Sequence, residues 1–413
     1  MAPFWIASIL LAIATINHNN NGIVQADILY AGIVYGTPGN NTPDTTVALA
    51  VCRKYGIRRI RIMETDDLAI QSLRSMGIEA TLGVKDEYLP GLASSYETAK
   101  SLFEIYLQPY VPSEFVVNYI VVGNKVIPGP NGKYVLPVVK NLQRVLADKN
   151  LTQIKVATAV STDVLRTIFP PSHAAFSEKA QGDLIPLLQH LQETNSPLFI
   201  DVYPYHYFAA GQIRQDFATF STHKAQYWDK TLGYWNMFDV LVDAFLWAME
   251  KRDLDVKMVI GETGWPADGN GGLTTPELAR TYNQNFLRHI TAGHGTPKRP
   301  YTYREGFIYS MFYENDKPTG IDQRFMILQK AFGKPLERSE GHLNPHMMME
   351  YERYGRLKHY DKQCELWIRS KSSPTTNKQQ FDSYLRAAPY QTGGRREILV
   401  PEYYGQVATT EKV

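Results

Sequence analysis

The stretch Met258–Pro266, MVIGETGWP, combines a short apolar run with a carboxylate and chain-breaking residues. Residues 258–260 are typical of a buried strand, and Gly261 is predicted to end it. Glu262 then stands at the strand end, directly before Thr-Gly-Trp-Pro. A carboxylate in this position indicates either a functional site or a loop glutamate beside a core tryptophan. The rest of the chain decides between these two interpretations.

Strand-like and helix-like patterns alternate on both sides of this stretch. Strands are predicted at 29–35, 57–63, 78–84, 115–123, 154–160, 198–203, 256–260 and 306–312. Helices are predicted at 43–55, 68–76, 95–107, 136–147, 182–193, 236–251 and 275–290. This alternation predicts an α/β fold built from parallel βαβ units, and its even spacing favours a closed (β/α)8 TIM barrel. No Gly-x-Gly-x-x-Gly follows the first strand, which disfavours the open dinucleotide-binding alternative.

The two ends of the chain differ from this pattern. Residues 4–16 form a nearly continuous apolar run that is too short to span a bilayer, and Val-Gln-Ala at 24–26 fits a cleavage site. We therefore predict a signal peptide at 1–26, a barrel domain at 27–332 and a secreted protein of the extracellular space or cell wall. Residues 333–413 are polar and lack sustained periodicity, so we expect a C-terminal tail of low order.

The composition of the chain limits the classes of binding partner and covalent modification that we expect. The net charge of +2 argues against an obligate nucleic-acid partner, and no stretch of the mature chain is apolar enough to span a membrane. Two cysteines make no disulfide framework, and Cys52, on an apolar helical face, is predicted to be buried. Asn40 and Asn150 begin glycosylation sequons that a secreted chain can use. We expect a monomer.

Polar and aromatic residues gather at the predicted carboxyl ends of the strands, where barrel enzymes carry their chemistry. These positions hold Tyr35, Glu64, Lys85, Asn124, Lys125, Thr158, Tyr203, Tyr205, Glu262 and Glu314. Cys–His metal spacing is absent from the sequence, and we predict neither a metal nor a cofactor. Carboxylates with aromatic platforms instead favour hydrolysis of a sugar polymer.

Several segments resemble the plant endo-β-1,3-glucanases, which are retaining (β/α)8 glycoside hydrolases. They are GIVYG at 32–36, GNN at 39–41, RRIRI at 58–62, VVGN at 121–124, DVYPY at 201–205, the helix start at 234–243, GETGWP at 261–266, GTPKRP at 295–300 and MFYENDKP at 311–318. The resemblance runs from about residue 32 to 328. It implies β-1,3-glucan of cell walls as the substrate.

The resemblance also implies residue roles. Glu262 takes the position of the nucleophile, and Glu314 and Lys317 take supporting charged positions. Asn124 matches an amide that bonds the hydroxyl next to the anomeric carbon. The sugar subsites are predicted to contain Tyr35, Tyr203, Tyr205 and Trp265. Tyr205 fits the core as well as the cleft, and Lys317 also fits a simple pairing with Glu314.

Lys125 is the departure that matters. The family has a glutamate there, the general acid/base, whereas this chain reads Val-Gly-Asn-Lys. Retaining hydrolysis needs two carboxyl groups about 5 Å apart, and an ammonium cannot deprotonate water. Met63, the Glu-Thr-Asp of 64–66 and His206 are further departures. Glu64 and Asp201 lie at strand ends, but the family pattern places neither near the leaving oxygen.

Three interpretations remain open. The chain is an impaired endo-β-1,3-glucanase, a catalytically inactive β-1,3-glucan-binding protein, or a structural wall or interaction protein. Lys125 is predicted to pair with Glu262 in each case.

Overall fold

Eight parallel strands close into a barrel. The computed structural model describes residues 31–36, 49, 52, 57–63, 77–108, 117–302, 304–314 and 317–327, with no side chains at 106 and 107. The strands are β1 Ala31–Tyr35, β2 Arg59–Ile62, β3 Glu79–Val84, β4 Val117–Asn124, β5 Lys155–Ser161, β6 Leu198–Asp201, β7 Met258–Thr263 and β8 Gly306–Ile308. Each pairs in parallel with its neighbours in sequence, and β1 pairs with both β2 and β8, which closes the ring. The predicted TIM barrel is confirmed.

The strands are apolar because they are buried on both faces. In β6 all four residues, LFID, are buried, and the β7 sequence MVIGET is buried throughout. A carboxylate inside such a strand needs a charged partner. The two buried carboxylates of β6 and β7, Asp201 and Glu262, are therefore candidates for a functional site.

Strand β7 differs from its prediction at Gly261. The strand does not end there but continues to Thr263, with a register shift between Ile260 and Glu262 against β6. A β-carbon at Gly261 would come within 2.5 Å of Asp201 Oδ1 and 2.7 Å of Arg61 Nη1. Glycine is therefore present for close approach rather than to break the strand.

Helices surround the barrel. Their bounds are α1 Leu89–Ser94, α2 Tyr96–Leu102, α3 Gly132–Asp148, α4 Glu178–Glu193, α5 Pro204–Ala209, α6 Gln215–Ala218, α7 Met237–Glu250 and α8 Pro276–Thr291. A single turn of π-helix, Phe103–Leu107, extends α2. The side chains of Ser95, Asn236 and Thr275 cap α2, α7 and α8 by accepting a backbone N–H bond from the first turn.

The sequence pattern missed the smaller elements. These are α1, α5, α6, the strand pair Leu165–Thr167 with Ala175–Phe176, and the hairpin Tyr227–Asp229 with Leu232–Tyr234. Their segments are too short to show a period. The predicted helix at 43–55 is described only at Leu49 and Cys52, which are helical and buried, and the one at 68–76 lies outside the described residues.

The predicted signal peptide, Asn40 and the tail at 333–413 also lie outside the described residues. Within the described part of the chain, no helix has the length and apolarity to cross a membrane. Asn150 is exposed directly after α3, and its glycosylation stays a prediction.

Candidate active site

Lys125 lies over Glu262 at the carboxyl end of the barrel. Its Nζ donates a hydrogen bond to Glu262 Oε2 at 2.7 Å, and the Tyr203 hydroxyl donates to the same oxygen at 2.8 Å. Glu262 is buried with 1% of its surface exposed, whereas the Lys125 side chain is 36% exposed. The lysine therefore separates the carboxylate from solvent. The predicted pairing of these two residues is present in the structure.

The backbone at the end of β4 places Lys125 there. Lys125 has a φ of 61°, in the left-handed region that residues other than glycine rarely adopt. Its N–H donates to the Ala159 carbonyl of β5 at 2.9 Å, which holds the turn against the barrel. The lysine side chain extends from this bend at the end of β4 to Glu262 on β7.

A second cation, Arg61, and a second carboxylate, Asp201, lie beside the Lys125–Glu262 pair. Arg61 Nη1 lies 3.4 Å from Asp201 Oδ1 and 3.5 Å from Glu262 Oε1. Lys125 Nζ lies 3.4 Å from Asp201 Oδ2. Arg61, Asp201 and Glu262 have almost no exposed side-chain surface. We call Arg61, Lys125, Asp201 and Glu262 the charge cluster. Two cations and two anions alternate within it.

The cluster sets the charge of each member. Burial raises the pKa of Glu262, but Lys125 and Arg61 outweigh burial and lower it to about 2. Burial lowers the pKa of Lys125, but the charges of Glu262 and Asp201 outweigh burial and raise it above its ordinary value. Burial and the Glu262 charge raise the pKa of Asp201 to about 6, against the opposing effects of Lys125 and Arg61. Near neutral pH, Glu262 is ionised and Lys125 is charged.

A second ionic group lies in the segment that follows the neighbouring strand β8. Glu314 is buried, and its Oε2 accepts a hydrogen bond from the Tyr309 hydroxyl at 2.5 Å and lies 2.5 Å from Lys317 Nζ. Lys317 also donates to the Tyr309 hydroxyl. A β-carbon at Gly36 would fall 1.3 Å from Glu314 Oε1, so only glycine fits at that position. Burial raises the pKa of Glu314, and Lys317 only partly opposes this.

A cleft lies beside Glu314 and Lys317, and Asn124, the neighbour of Lys125 in the chain, also lines it. Its volume is about 370 Å³, within the size range of ligand pockets. It is lined by Met63, Val84, Lys85, Asp86, Glu87, Asn124, Glu314 and Lys317. Asn124, predicted to contact the sugar, faces this cleft, and its Oδ1 accepts a bond from Arg61 Nη2 at 3.0 Å. Charged and amide groups of this kind can hold the hydroxyls of a sugar.

Three of the predicted sugar-binding aromatics are buried in the hydrophobic core. Trp265, Tyr205 and Tyr35 are each exposed by 2% or less. Trp265 packs against Tyr205 and Tyr282 at ring distances of 5.2 and 5.6 Å, and its Nε1 donates to the Leu273 carbonyl. This differs from the prediction, because the loop after Glu262 folds the indole inward against α8. Tyr203 contacts the charge cluster through its hydrogen bond to Glu262.

Arg61 had no role in the sequence prediction, and Asp201 entered it only as a disfavoured replacement for the missing acid. A signal existed, since Arg61 lies between the isoleucines of RIRI and Asp201 ends the apolar run of LFID, and a buried charged residue must be paired. That pattern does not say with which residue each one pairs. Among the described residues, no cluster of His, Cys, Asp and Glu is placed to hold a metal ion.

The comparisons with known proteins identify the family of the chain. The family model "Glycosyl hydrolases family 17" matches residues 31–334. The chain belongs to this family. A protein of Arabidopsis thaliana described as "Probable glucan endo-1,3-beta-glucosidase BG4" is 40% identical over 337 residues, which are 81% of this chain and 96% of the relative. Lichenase-2 of Hordeum vulgare is 35% identical over 297 residues, or 71% and 93% of the two chains.

Solved structures of the family have the same fold. CJP38, a β-1,3-glucanase and allergen of Cryptomeria japonica pollen, superimposes with a TM-score of 0.70 at 33% identity. The alignment covers 76% of this chain and all of CJP38. A structure from a study of two plant β-glucan endohydrolases with distinct substrate specificities gives a TM-score of 0.67 at 34% identity, over 71% and 95% of the chains. The family 17 chain is therefore an O-glycosyl hydrolase by membership, with a lysine in its charge cluster.

Proposed function

We propose that this protein binds β-1,3-glucan in the cleft at the carboxyl end of the barrel and hydrolyses it poorly, because Lys125 blocks the nucleophile. The main observation behind this proposal is the 2.7 Å hydrogen bond from Lys125 Nζ to Glu262 Oε2. The substrate class follows from relatives whose names carry endo-1,3-β-glucosidase activity and from a cleft of suitable volume. We also propose that the chain is secreted and acts on cell-wall glucan as a monomer.

Glu262 has the properties of a retaining nucleophile. It is ionised, and Tyr203 and Arg61 hold its carboxylate in one orientation. To attack an anomeric carbon, however, its Oε2 must exchange the Lys125 contact for the sugar. The ion pair therefore opposes the first displacement, whatever the leaving group.

The proton transfers are also lost. In a retaining mechanism one carboxyl group protonates the leaving oxygen and then deprotonates water. Lys125 is charged at the relevant pH and cannot accept that second proton. Loss of general acid/base assistance slows hydrolysis by about 10²–10⁴-fold. Asp201 does not substitute, because its side chain is fully buried beneath Lys125 and cannot reach a leaving oxygen.

The same contact also favours a second function, a glucan-binding protein without turnover. Asn124, Glu314 and Lys317 line the cleft and offer polar groups to a sugar, while Lys125 pairs with Glu262. The two functions differ only in whether the ion pair opens often enough for a displacement to occur.

Calorimetric titration with a linear β-1,3-gluco-oligosaccharide, followed by chromatography of the incubated mixture, tests both. Binding with slow product formation that Glu262→Gln abolishes supports an impaired hydrolase. Binding with no product above the Glu262→Gln background supports the binding protein. Absence of binding would overturn both and favour a structural wall or interaction protein. A β-1,4-linked oligosaccharide and a mixed-linkage β-glucan are the specificity controls.

A further inference from the structure

Asp201 is in contact with both cations of the charge cluster. Its Oδ1 lies 3.4 Å from Arg61 Nη1, and its Oδ2 lies 3.4 Å from Lys125 Nζ. Its side chain has no exposed surface, so water cannot compensate its charge. The carboxylate of Asp201 therefore depends on Arg61 and Lys125 for its stabilisation.

The groups around Asp201 come from four parts of the barrel. Arg61 stands on β2, Lys125 follows β4 and Glu262 is on β7. Tyr203 follows Asp201 on the same chain segment, and burial and then the charges of Glu262 and Asp201 raise its pKa. Burial lowers the pKa of His206, and the Lys125 charge adds to this effect while Asp322 opposes it.

The cluster is balanced only while residue 125 is a cation. With Lys125 it holds two positive and two negative side chains. A carboxylate at position 125 would place three negative side chains beside the single guanidinium of Arg61. Buried like charges raise one another's pKa, so the three groups could not all ionise near neutral pH.

We propose that Asp201 is a positioning residue that holds the Lys125 ammonium over Glu262, so that the block on hydrolysis depends on both residues. Restoring an acid at position 125 then restores hydrolysis fully only when Asp201 is also made neutral. This inference rests on the proposed function for its catalytic consequence, but the pairing of Asp201 with Lys125 is testable without any glucan.

The pH dependence of the Lys125→Glu variant measures the catalytic consequence. In this variant the Asp201 charge raises the pKa of Glu262 and of the new acid, which displaces the activity profile to high pH. Adding Asp201→Asn removes one negative charge and lowers both pKa values. Relative to Lys125→Glu alone, we expect the double variant to have its optimum of kcat/KM on linear β-1,3-glucan about one pH unit lower. Its activity at pH 5 should be at least about tenfold higher.

Asp243→Asn in the Lys125→Glu background is the matched control. Asp243 is also a fully buried aspartate, but it bonds to the Tyr234 hydroxyl and the Lys298 N–H, away from the cluster. We expect this control to leave the pH optimum in place. Coincident profiles for Lys125→Glu with and without Asp201→Asn would overturn the proposal.

Chemical modification of Lys125 gives a second measurement with the lysine in place. The Lys125 amine is partly exposed and reacts with acetic anhydride only when neutral. In Asp201→Asn, loss of one carboxylate partner lowers the pKa of Lys125, so acetylation at pH 9 becomes several-fold faster. The exposed Lys133 serves as the internal reference in the same digest.

The two measurements separate the two proposals. Faster acetylation of Lys125 in Asp201→Asn supports the pairing even if no variant hydrolyses glucan, an outcome that would count against the proposed function alone. An unchanged ratio of Lys125 to Lys133 acetylation would overturn the role of Asp201, whatever the activity. Circular dichroism of each variant establishes that the barrel is folded before either comparison is made.

Discussion

Lys125 Nζ lies 2.7 Å from Glu262 Oε2, although the two residues are 137 positions apart in the chain. The proposed function assigns these two positions to the proton donor and the nucleophile of a retaining glycosidase. Here a cation and an anion neutralise each other at the same place. Under the proposed function, this ion pair occupies the place of the two carboxyl groups that a retaining glycosidase needs.

Removing the Lys125 side chain should expose Glu262 to activated substrates. A fluorinated glucoside with a good leaving group needs no protonation to react, so Lys125→Ala should form a covalent adduct at Glu262. We expect labelling at least about tenfold faster than in the wild type, where the ion pair must open first. Intact mass and peptide mapping identify the adduct.

Glu262→Gln in the Lys125→Ala background is the control for this experiment, since the amide cannot form the adduct. In the labelled Lys125→Ala protein, added azide should release the sugar from Glu262, because a small anion can enter the space left by the lysine side chain. Labelling of any residue other than Glu262, or none at all, would contradict the assignment of the nucleophile.

Gly261 is expected to tolerate no side chain. An alanine β-carbon there would press on Asp201 and Arg61, both buried. We expect Gly261→Ala to lower the free energy of unfolding by about 1–3 kcal/mol, as for other overpacked cores. Chemical denaturation measures this change.

Gly182→Ala is the matched control in helix α4. No atom lies within 4 Å of its added β-carbon, and the position is exposed. Because alanine favours the helix, it should stabilise the protein by about 0.5–1 kcal/mol. Equal effects at both glycines would show that the contacts around Gly261 are slack.

His289 should make stability depend on pH. Burial lowers the pKa of His289, but its hydrogen bond and charge interaction with Asp239, at 2.8 Å, raise it above its usual value. A raised pKa means that this stabilisation is fully present below the unfolded value of about 6.5 and is lost as pH rises through the folded value. The melting temperature should therefore fall over that window.

In His289→Gln the corresponding part of the slope should disappear. His294→Gln, at an exposed histidine in the following loop, should keep the wild-type slope. Thermal melts from pH 5.5 to 8.5 make the comparison. Parallel curves for the wild type and His289→Gln would show that Asp239 does not hold the imidazolium.

The barrel could be predicted because its strands and helices have clear periods. Helices α7 and α8 were predicted to within one residue at each end, since Asn236 and Thr275 are capping residues that mark their starts. Strand β8 was predicted too long, as the chain leaves the sheet after Ile308 while remaining buried and apolar. Apolar character alone does not separate a strand from a buried loop.

The site was predictable where one residue identity implied one chemistry, and less so where orientation mattered. Lys125 and Glu262 could be paired because the resemblance to the plant glucanases assigned both to catalytic positions at the ends of barrel strands. Trp265 could not be placed, because the four residues after Glu262 can turn an indole outward to the cleft or inward to the core. The contact of Asp201 with Lys125 depends on side-chain direction across the barrel, which no local pattern records.

The most direct test of the account is the turnover of a linear β-1,3-glucan by the wild type and by Lys125→Glu, each at its own pH optimum. Lys133→Glu, at an exposed lysine of α3, controls for the change of charge. We expect Lys125→Glu to raise kcat/KM by about 10²-fold or more, from restored general acid/base assistance, with no change in Lys133→Glu. A wild type that hydrolyses the glucan as fast as Lys125→Glu would contradict the account.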